Sequence, residues 1–314
     1  MGRIQTIGII GFGALGSMYG AYLTEKLGKD RVFILADHDR IARYRKEKVY
    51  VNDKEYDLNF TETENCTCKP DLLIFAVKFG GFAAAVEEVR PLVKEDTVMI
   101  SLLNGISSER ILIEEFGPEH VLYCTAQGMD ALKTGNHMYY RNMGTLWTGT
   151  ADGTETDDVK AVDDVFSEAA LPHEVHNDML KRLWGKLLLN TGVNQAVTVY
   201  ETDFGGVQKK GAPRDVMIAA MKEVIRVACA EGVSMSDDAY IYWVDLVDRL
   251  NPKGKPSMRQ DMEAGRMTEV DLFSGTIRAL GEKDGVATPV NDLLYLQIKR
   301  MESLLQMKKP EGKE

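Results

Sequence analysis

The sequence predicts an α/β fold, with a doubly wound parallel sheet in its N-terminal part and an all-helical domain after it. Three observations carry that prediction. Short apolar runs alternate with helix-period segments in the first half of the chain, as in consecutive βαβ units. A glycine-rich turn, Gly11-Phe12-Gly13-Ala14-Leu15-Gly16, stands between the first such run and the first helical segment. Beyond about residue 176 the strand-like runs stop, and apolar residues recur only at helical spacing.

Ile4 to Ile10 reads as a strand buried on both faces, Leu15 to Leu27 as the helix that follows the turn, and Arg31 to Ala36 as the next strand, stopping at Asp37. Val49 to Phe60 alternates loosely and predicts a peripheral hairpin. Asp71 to Val77 and Thr97 to Leu103 are two more central strands, ending beside Lys78 and Asn104, with a helix from about Gly81 to Arg90 between them. Val121 to Ala126 and the stretch from Tyr139 to Trp147 are expected to complete the same sheet. The spacing then predicts helices over 180–199, 214–231, 239–250, 268–281 and 290–307. The expected domains are 1–176 and 177–314, with a frayed tail from Lys308.

Composition narrows the class of function. A chain of 314 residues with 44% hydrophobic and 27% charged residues is long enough for two domains with real cores. Its net charge of -10 argues against a nucleic-acid partner, because phosphate backbones attract basic faces. No apolar run reaches the ~18 residues of a membrane span, and no leader pattern opens the chain, so the expected location is the cytoplasm. Cys66, Cys68, Cys124 and Cys229 are read as reduced thiols, and the five histidines show no ligand spacing, so no metal is expected.

The glycine turn suits a dinucleotide. Gly11 permits the tight turn, Gly13 lets the backbone approach a pyrophosphate, and Gly16 lets helix and strand pack closely. The helix N-terminus meets the anion with its free N–H groups, and Phe12, Ala14 and Leu15 complete the loop. Asp37, about 20 residues on, suits the ribose hydroxyls of NAD. Arg40 and Arg43 suit a 2′-phosphate instead, so local chemistry leaves NAD and NADP both open with a lean to NAD.

The second domain carries the polar groups that chemistry would use. Lys186, Asn190 and Asn194 lie four apart and share one face of an otherwise apolar helix. A lysine there can give a proton to an oxygen that gains charge as hydride arrives at its carbon. Ser257-Met258-Arg259-Gln260-Asp261 and Arg266-Met267-Thr268-Glu269-Val270-Asp271 form a second cluster. Thr268 with Asp271 reads as a partial capping box, which leaves Glu269 unexplained.

Taken in order, these pieces resemble the ketopantoate reductase family over nearly the whole chain. The matching motifs are Gly-Phe-Gly-Ala-Leu-Gly at 11–16, Ala-Val-Lys at 76–78 and Asn-Gly at 104–105. The helical part adds Lys186-x-x-x-Asn190-x-x-x-Asn194, Pro256-Ser257-Met258-x-x-Asp261 and Arg266-x-Thr268-Glu269-Val270-Asp271. The resemblance implies a Rossmann-type domain and a helical domain of the 6-phosphogluconate dehydrogenase-like type. It also implies reduction of a 2-keto acid, most simply ketopantoate, by NADPH, with NAD the alternative because of Asp37. By the same resemblance Lys186 is the general acid and Glu269 the carboxylate that fixes the substrate hydroxyl. Asn104, Asn190, Asn194 and Ser257 are substrate contacts, Asn104 and Lys78 cofactor-side groups, and the assembly a possible homodimer.

The chain departs from the family pattern at three places. Phe204 lies where an asparagine-glycine turn is usual, Gly254 where an asparagine precedes the serine by three, and Asp37 where an arginine commonly ends the second strand. The alternatives kept open are a related dehydrogenase for another hydroxy or amino acid, and a non-catalytic dinucleotide sensor. Intact Lys186 and Glu269 favour the enzyme.

Overall fold

The computed structural model describes residues 3–46 and 48–308. The chain divides into two compact units, Met1–Leu180 and Lys181–Glu314, so the division falls inside a helix shortly after His176.

The first unit begins β1 (Ile7–Ile10), α1 (Ala14–Leu27), β2 (Val32–Ala36), α2 (His38–Lys46), β3 (Val49–Val51), β4 (Lys54–Tyr56) and β5 (Asn59–Glu62). It continues with β6 (Leu72–Phe75), α3 (Phe82–Val89), β7 (Val98–Ser101), α4 (Ser107–Phe116) and β8 (Tyr123–Gln127). It closes with β9 (Leu132–Thr134), β10 (His137–Tyr139), β11 (Thr145–Gly149), α5 (Asp157–Glu168) and β12 (His173–Val175).

The main sheet has the order β5-β2-β1-β6-β7, and every pairing in it is parallel. All four residues of β1, β6 and β7 are buried, which is why these strands are mostly apolar, without polar alternation. Successive residues still face opposite ways. Ile7, Ile9, Ile34, Leu72 and Ile74 join a core with Met18 and Leu23 of α1 and Val162 and Phe166 of α5. Ile10, Leu35, Leu73, Phe75 and Met99 join a second core with Phe82 and Val86 of α3 and Leu112 of α4. Helices on both faces make the sheet doubly wound, as the alternation of elements predicts.

Two expectations about this unit are corrected. The strands around 121–127 and 139–147 do not complete the main sheet. Val121 makes a single parallel bridge to Met99, after which β8 pairs antiparallel with β11 through five residue pairs, and β12 adds to β11. The longer ladder satisfies more backbone groups than the edge of β7 offers. Val49 to Phe60 is also more than a hairpin. β3 and β4 pair as one, but β5 runs on into the main sheet beside β2, and β3 pairs with β10 in a separate four-stranded sheet.

The second unit is helical, as expected: α6 (Met179–Val199), which begins at the division, then α7 (Phe204–Gln208), α8 (Ala212–Ala230), α9 (Tyr240–Asp248), α10 (Ser257–Glu263), α11 (Thr276–Asp284) and α12 (Pro289–Lys308). α8 is its hub, packed against α7, α9, α11 and α12. A Cβ at Gly192 would stand 2.6 Å from Met221, so the missing side chain is what lets α6 lie close to α8. The carboxylate of Glu223, buried in α8, accepts from the amides of Val290 (3.0 Å) and Asn291 (2.9 Å) and so caps α12. Asn291 in turn accepts from Gln195 of α6 at 3.4 Å. The expected helix over 268–281 has a different start. Asp271–Gly275 is a π turn, with the Gly275 amide donating to the Val270 carbonyl at 3.0 Å, and α11 follows it. The expected tail beyond Lys308 lies outside the described residues.

Candidate active site

The glycine loop follows β1, at the one place where the chain's path across the main sheet reverses: β2 lies to one side of β1 and β6 to the other. Ligands of open α/β sheets bind at the carboxyl ends of the strands flanking such a point. Gly11 adopts φ +99°, and a Cβ there would lie 2.6 Å from Val77. A Cβ on Gly16 would stand 2.0 Å from the Gly11 carbonyl oxygen. Both positions therefore admit only glycine. At Gly13, by contrast, the nearest atom to an added Cβ is the Ala76 carbonyl oxygen at 3.7 Å, so the backbone is bare. Gly13 is also the N-cap of α1, offers no side-chain cap, and no acidic residue lies in the first turn. A helix N-terminus left without an anionic or hydroxyl cap, beside a bare glycine, fits a pyrophosphate.

The residues expected near this loop fall at the same end of the sheet. Lys78 is exposed, three residues beyond β6, and Asn104 is half-buried, three residues beyond β7. Asp37 follows β2. Its carboxylate accepts from the Arg40 amide at 2.8 Å and so caps α2, and it faces the Arg40 guanidinium at 3.4 Å. Arg40 also meets Glu88 at 3.5 Å. The arginine expected to clamp a 2′-phosphate is thus already engaged by two carboxylates. The Phe12 ring packs against Tyr44 and Phe60, with centroids 5.1 and 5.2 Å away.

Sequence reasoning missed one residue here. Lys133 of β9 donates from its ammonium to the Phe12 carbonyl and, at 2.8 Å, to the Ser17 hydroxyl. Burial pushes its pKa down to about 8, with Arg43 adding a like charge. No motif marks this lysine; the hairpin β9–β10 brings it to the loop from 121 residues away in sequence.

In the second unit α6 is continuous through Lys186, Asn190 and Asn194, so the three do share a face. Lys186 and Asn190 are half-buried on it and Asn194 is buried. The Asn194 amide donates to Asn190 Oδ1 at 3.3 Å. Its oxygen accepts from the Met258 amide at 3.1 Å and the Ser257 hydroxyl at 3.3 Å. α10 has Pro256 at its N-cap, which carries no capping side chain, and Asn194 performs that task from across the unit. Asn190, Asn194 and Ser257 are therefore one hydrogen-bonded group.

The capping-box reading of Thr268 and Asp271 is corrected. The Thr268 amide and hydroxyl both donate to Oε1 of buried Glu302 at 2.7 Å, and Asp271 accepts from Tyr295 and Lys299, each at 2.8 Å. All three partners belong to α12. Glu269, half-buried, is thus held from both sides in sequence, with the π turn directly behind it. Such turns are frequent at functional sites. Phe204 and Gly254 prove to be neighbours. The Phe204 amide donates to the Gly254 carbonyl at 2.9 Å, and a Cβ on Gly254 would lie 3.0 Å from the phenyl ring. Among the described residues no helix is long and apolar enough to cross a membrane.

Comparison with known proteins matches residues 7–153 to the family described as ketopantoate reductase PanE/ApbA, and residues 178–302 to its C-terminal domain. The 2-dehydropantoate 2-reductase of Aquifex aeolicus (strain VF5) is 26% identical over 301 residues, covering 94% of this chain and 96% of that protein. The crystal structure of the 2-dehydropantoate 2-reductase from Geobacter metallireducens GS-15 superposes with a TM-score of 0.79 at 26% identity, covering 94% of this chain and 99% of that one. D-mandelate dehydrogenase, solved with NADH and anilino(oxo)acetate, has the same fold: TM-score 0.84 at 23% identity, covering 96% of this chain and 99% of the other.

Proposed function

The chain belongs to the ketopantoate reductase PanE/ApbA family, and on that premise we propose that it reduces a 2-keto acid to the 2-hydroxy acid, with ketopantoate as the substrate. The observation that carries this reading is the polar face of α6: Lys186, Asn190 and Asn194 on a helix that also carries buried Leu183, Trp184, Leu187, Leu188 and Val193. A cation and two carboxamides on one helix face, the cation and one carboxamide only half-buried, suit a polar ligand.

A bound nicotinamide dinucleotide supplies the hydride. The chain's own residues do the rest. The bare turn at Gly13 and the first turn of α1 receive the pyrophosphate, with Lys78 and Asn104 at the adjoining strand ends. Lys186 attracts the substrate carboxylate and gives its proton to the carbonyl oxygen as the carbon accepts hydride, which leaves the hydroxy acid. Glu269 accepts a hydrogen bond from the new hydroxyl. Asn190 and Ser257 orient the substrate, and Asn194 fixes their positions through the bonds it makes to both. NADPH is the reductant implied by the resemblance. The Asp37–Arg40 pair is the specific observation favouring NADH, since an arginine already paired with carboxylates offers less to a 2′-phosphate. A homodimer is part of the same proposal.

The test is Lys186→Ala. Turnover is expected to fall by roughly 10²-fold or more, the scale of general acid catalysis, while NAD(P)H still binds. Near-normal turnover of ketopantoate by this variant would remove Lys186 from the mechanism. Rapid reduction of a different 2-keto acid by the wild-type protein, with ketopantoate left untouched, would keep the chemistry and replace the substrate.

A further inference from the structure

Lys133 is a cation in an unusual setting. It lies opposite fully buried Met138 in the β9–β10 pair, so its side chain leaves the hairpin on the buried face. Its ammonium ends 3.9 Å from the centroid of the Phe12 ring and donates to the Phe12 carbonyl and the Ser17 hydroxyl. Ser17 passes the connection on, donating to the Gly13 carbonyl at 2.7 Å. One ammonium thereby ties down Phe12, Gly13 and Ser17, the heart of the glycine turn and the first turn of α1. Among the described residues no carboxylate makes an ion pair with it. Its charged neighbour is Arg43, of like sign, and it stands at the positive end of a helix.

A half-buried cation held only by a carbonyl, a hydroxyl and a ring face is a cost to the fold unless something offsets it. We propose that Lys133 is the fixed positive charge of the dinucleotide site, a positioning residue that locks the Gly11–Gly16 turn in its phosphate-receiving shape and is neutralised by the pyrophosphate itself. The lysine acts through the turn it holds, and its charge acts through a low-dielectric interior where screening is weak. This explains why a group that burial pushes down to a pKa of about 8 is retained: in the bound state the anion restores what desolvation removes. The inference rests on the dinucleotide reading given above.

The experiment compares the wild-type protein with Lys133→Met and Lys133→Arg, measuring affinities for NADPH, NADH, ADP-ribose and adenosine by calorimetry and competition. Lys133→Met is expected to weaken all three pyrophosphate-bearing ligands about tenfold or more, the scale of losing one charge-assisted contact. Adenosine affinity stays put, and Lys133→Arg recovers most of the lost affinity, because it keeps the charge. Unchanged ADP-ribose affinity in Lys133→Met overturns the proposal, and so does an equal loss for adenosine, which would mark a merely structural tether. If the wild-type protein binds none of the pyrophosphate-bearing ligands, the dinucleotide reading itself fails, a result distinct from either of these.

Discussion

Asp37 has two tasks at a single carboxylate, and they separate cleanly by substitution. It caps α2 through the Arg40 amide, and it places a negative charge where a dinucleotide's ribose is expected. Asp37→Ala removes both, so a fall in activity in that variant would have two causes. Asp37→Ser keeps an N-cap and removes the charge. Melting temperature is therefore expected to hold, while the ratio of kcat/KM for NADPH over NADH rises severalfold; an unmoved ratio would mean the carboxylate takes no part in choosing the cofactor. At this scale the sequence was most legible where chemistry needs a residue type at a fixed spacing, as at Gly11, Gly13 and Gly16. It was least legible where the partner is remote. Glu302 holds Thr268 from 34 residues away and Lys133 reaches Phe12 across 121, and neither leaves any local pattern.

Elements are joined in the first unit by a few polar clasps, of which Asp71 is the clearest. It stands just before β6 and accepts from the amides of Gln5 and Thr6, each at 2.8 Å, at the entry to β1. Burial by itself would raise its pKa, but the Lys94 ammonium and those donors outweigh it, and the net shift is downward. A depressed carboxyl pKa gives stability that is complete above the unfolded value of about 3.9 and is lost as pH falls through the folded value. The stability gap between wild type and Asp71→Asn is therefore expected to narrow as pH falls below about 3.9. Urea midpoints along that series check it, and a gap independent of pH would assign Asp71's contribution to packing. The strands that Asp71 joins were readable as apolar runs, and so were the long helices. The small sheets were not. Three-residue strands such as β9 and β12 carry too few positions for a period to register, and their pairings are fixed by ladders with distant partners. The π turn after Glu269 was unreadable for a related reason: one extra residue per turn leaves the apolar pattern of the flanking helix almost intact.

For the whole molecule the clearest surface feature is on α12. Leu293, Leu296, Leu304 and Met307 are all exposed, the last by 82%. At 100° per residue they fall within a sector of about 80°, as two pairs that exposed Arg300 separates. The homodimer proposed above would bury such residues if its contact lies on α12. Sedimentation is expected to give a dimer for the wild type and a monomer for the Leu296→Glu, Leu304→Glu double variant; an unchanged dimer would place the contact elsewhere. The close fit of Phe204 against Gly254 has a consequence for how the two positions can vary. A Cβ at 254 would stand 3.0 Å from both the phenyl ring and the Asn251 carbonyl oxygen, so a side chain there is crowded from two directions. Replacement of Phe204 relieves the contact with the ring and leaves the one with the Asn251 backbone. The two sites are thereby coupled: a side chain at 254 costs more beside Phe204 than beside a smaller residue.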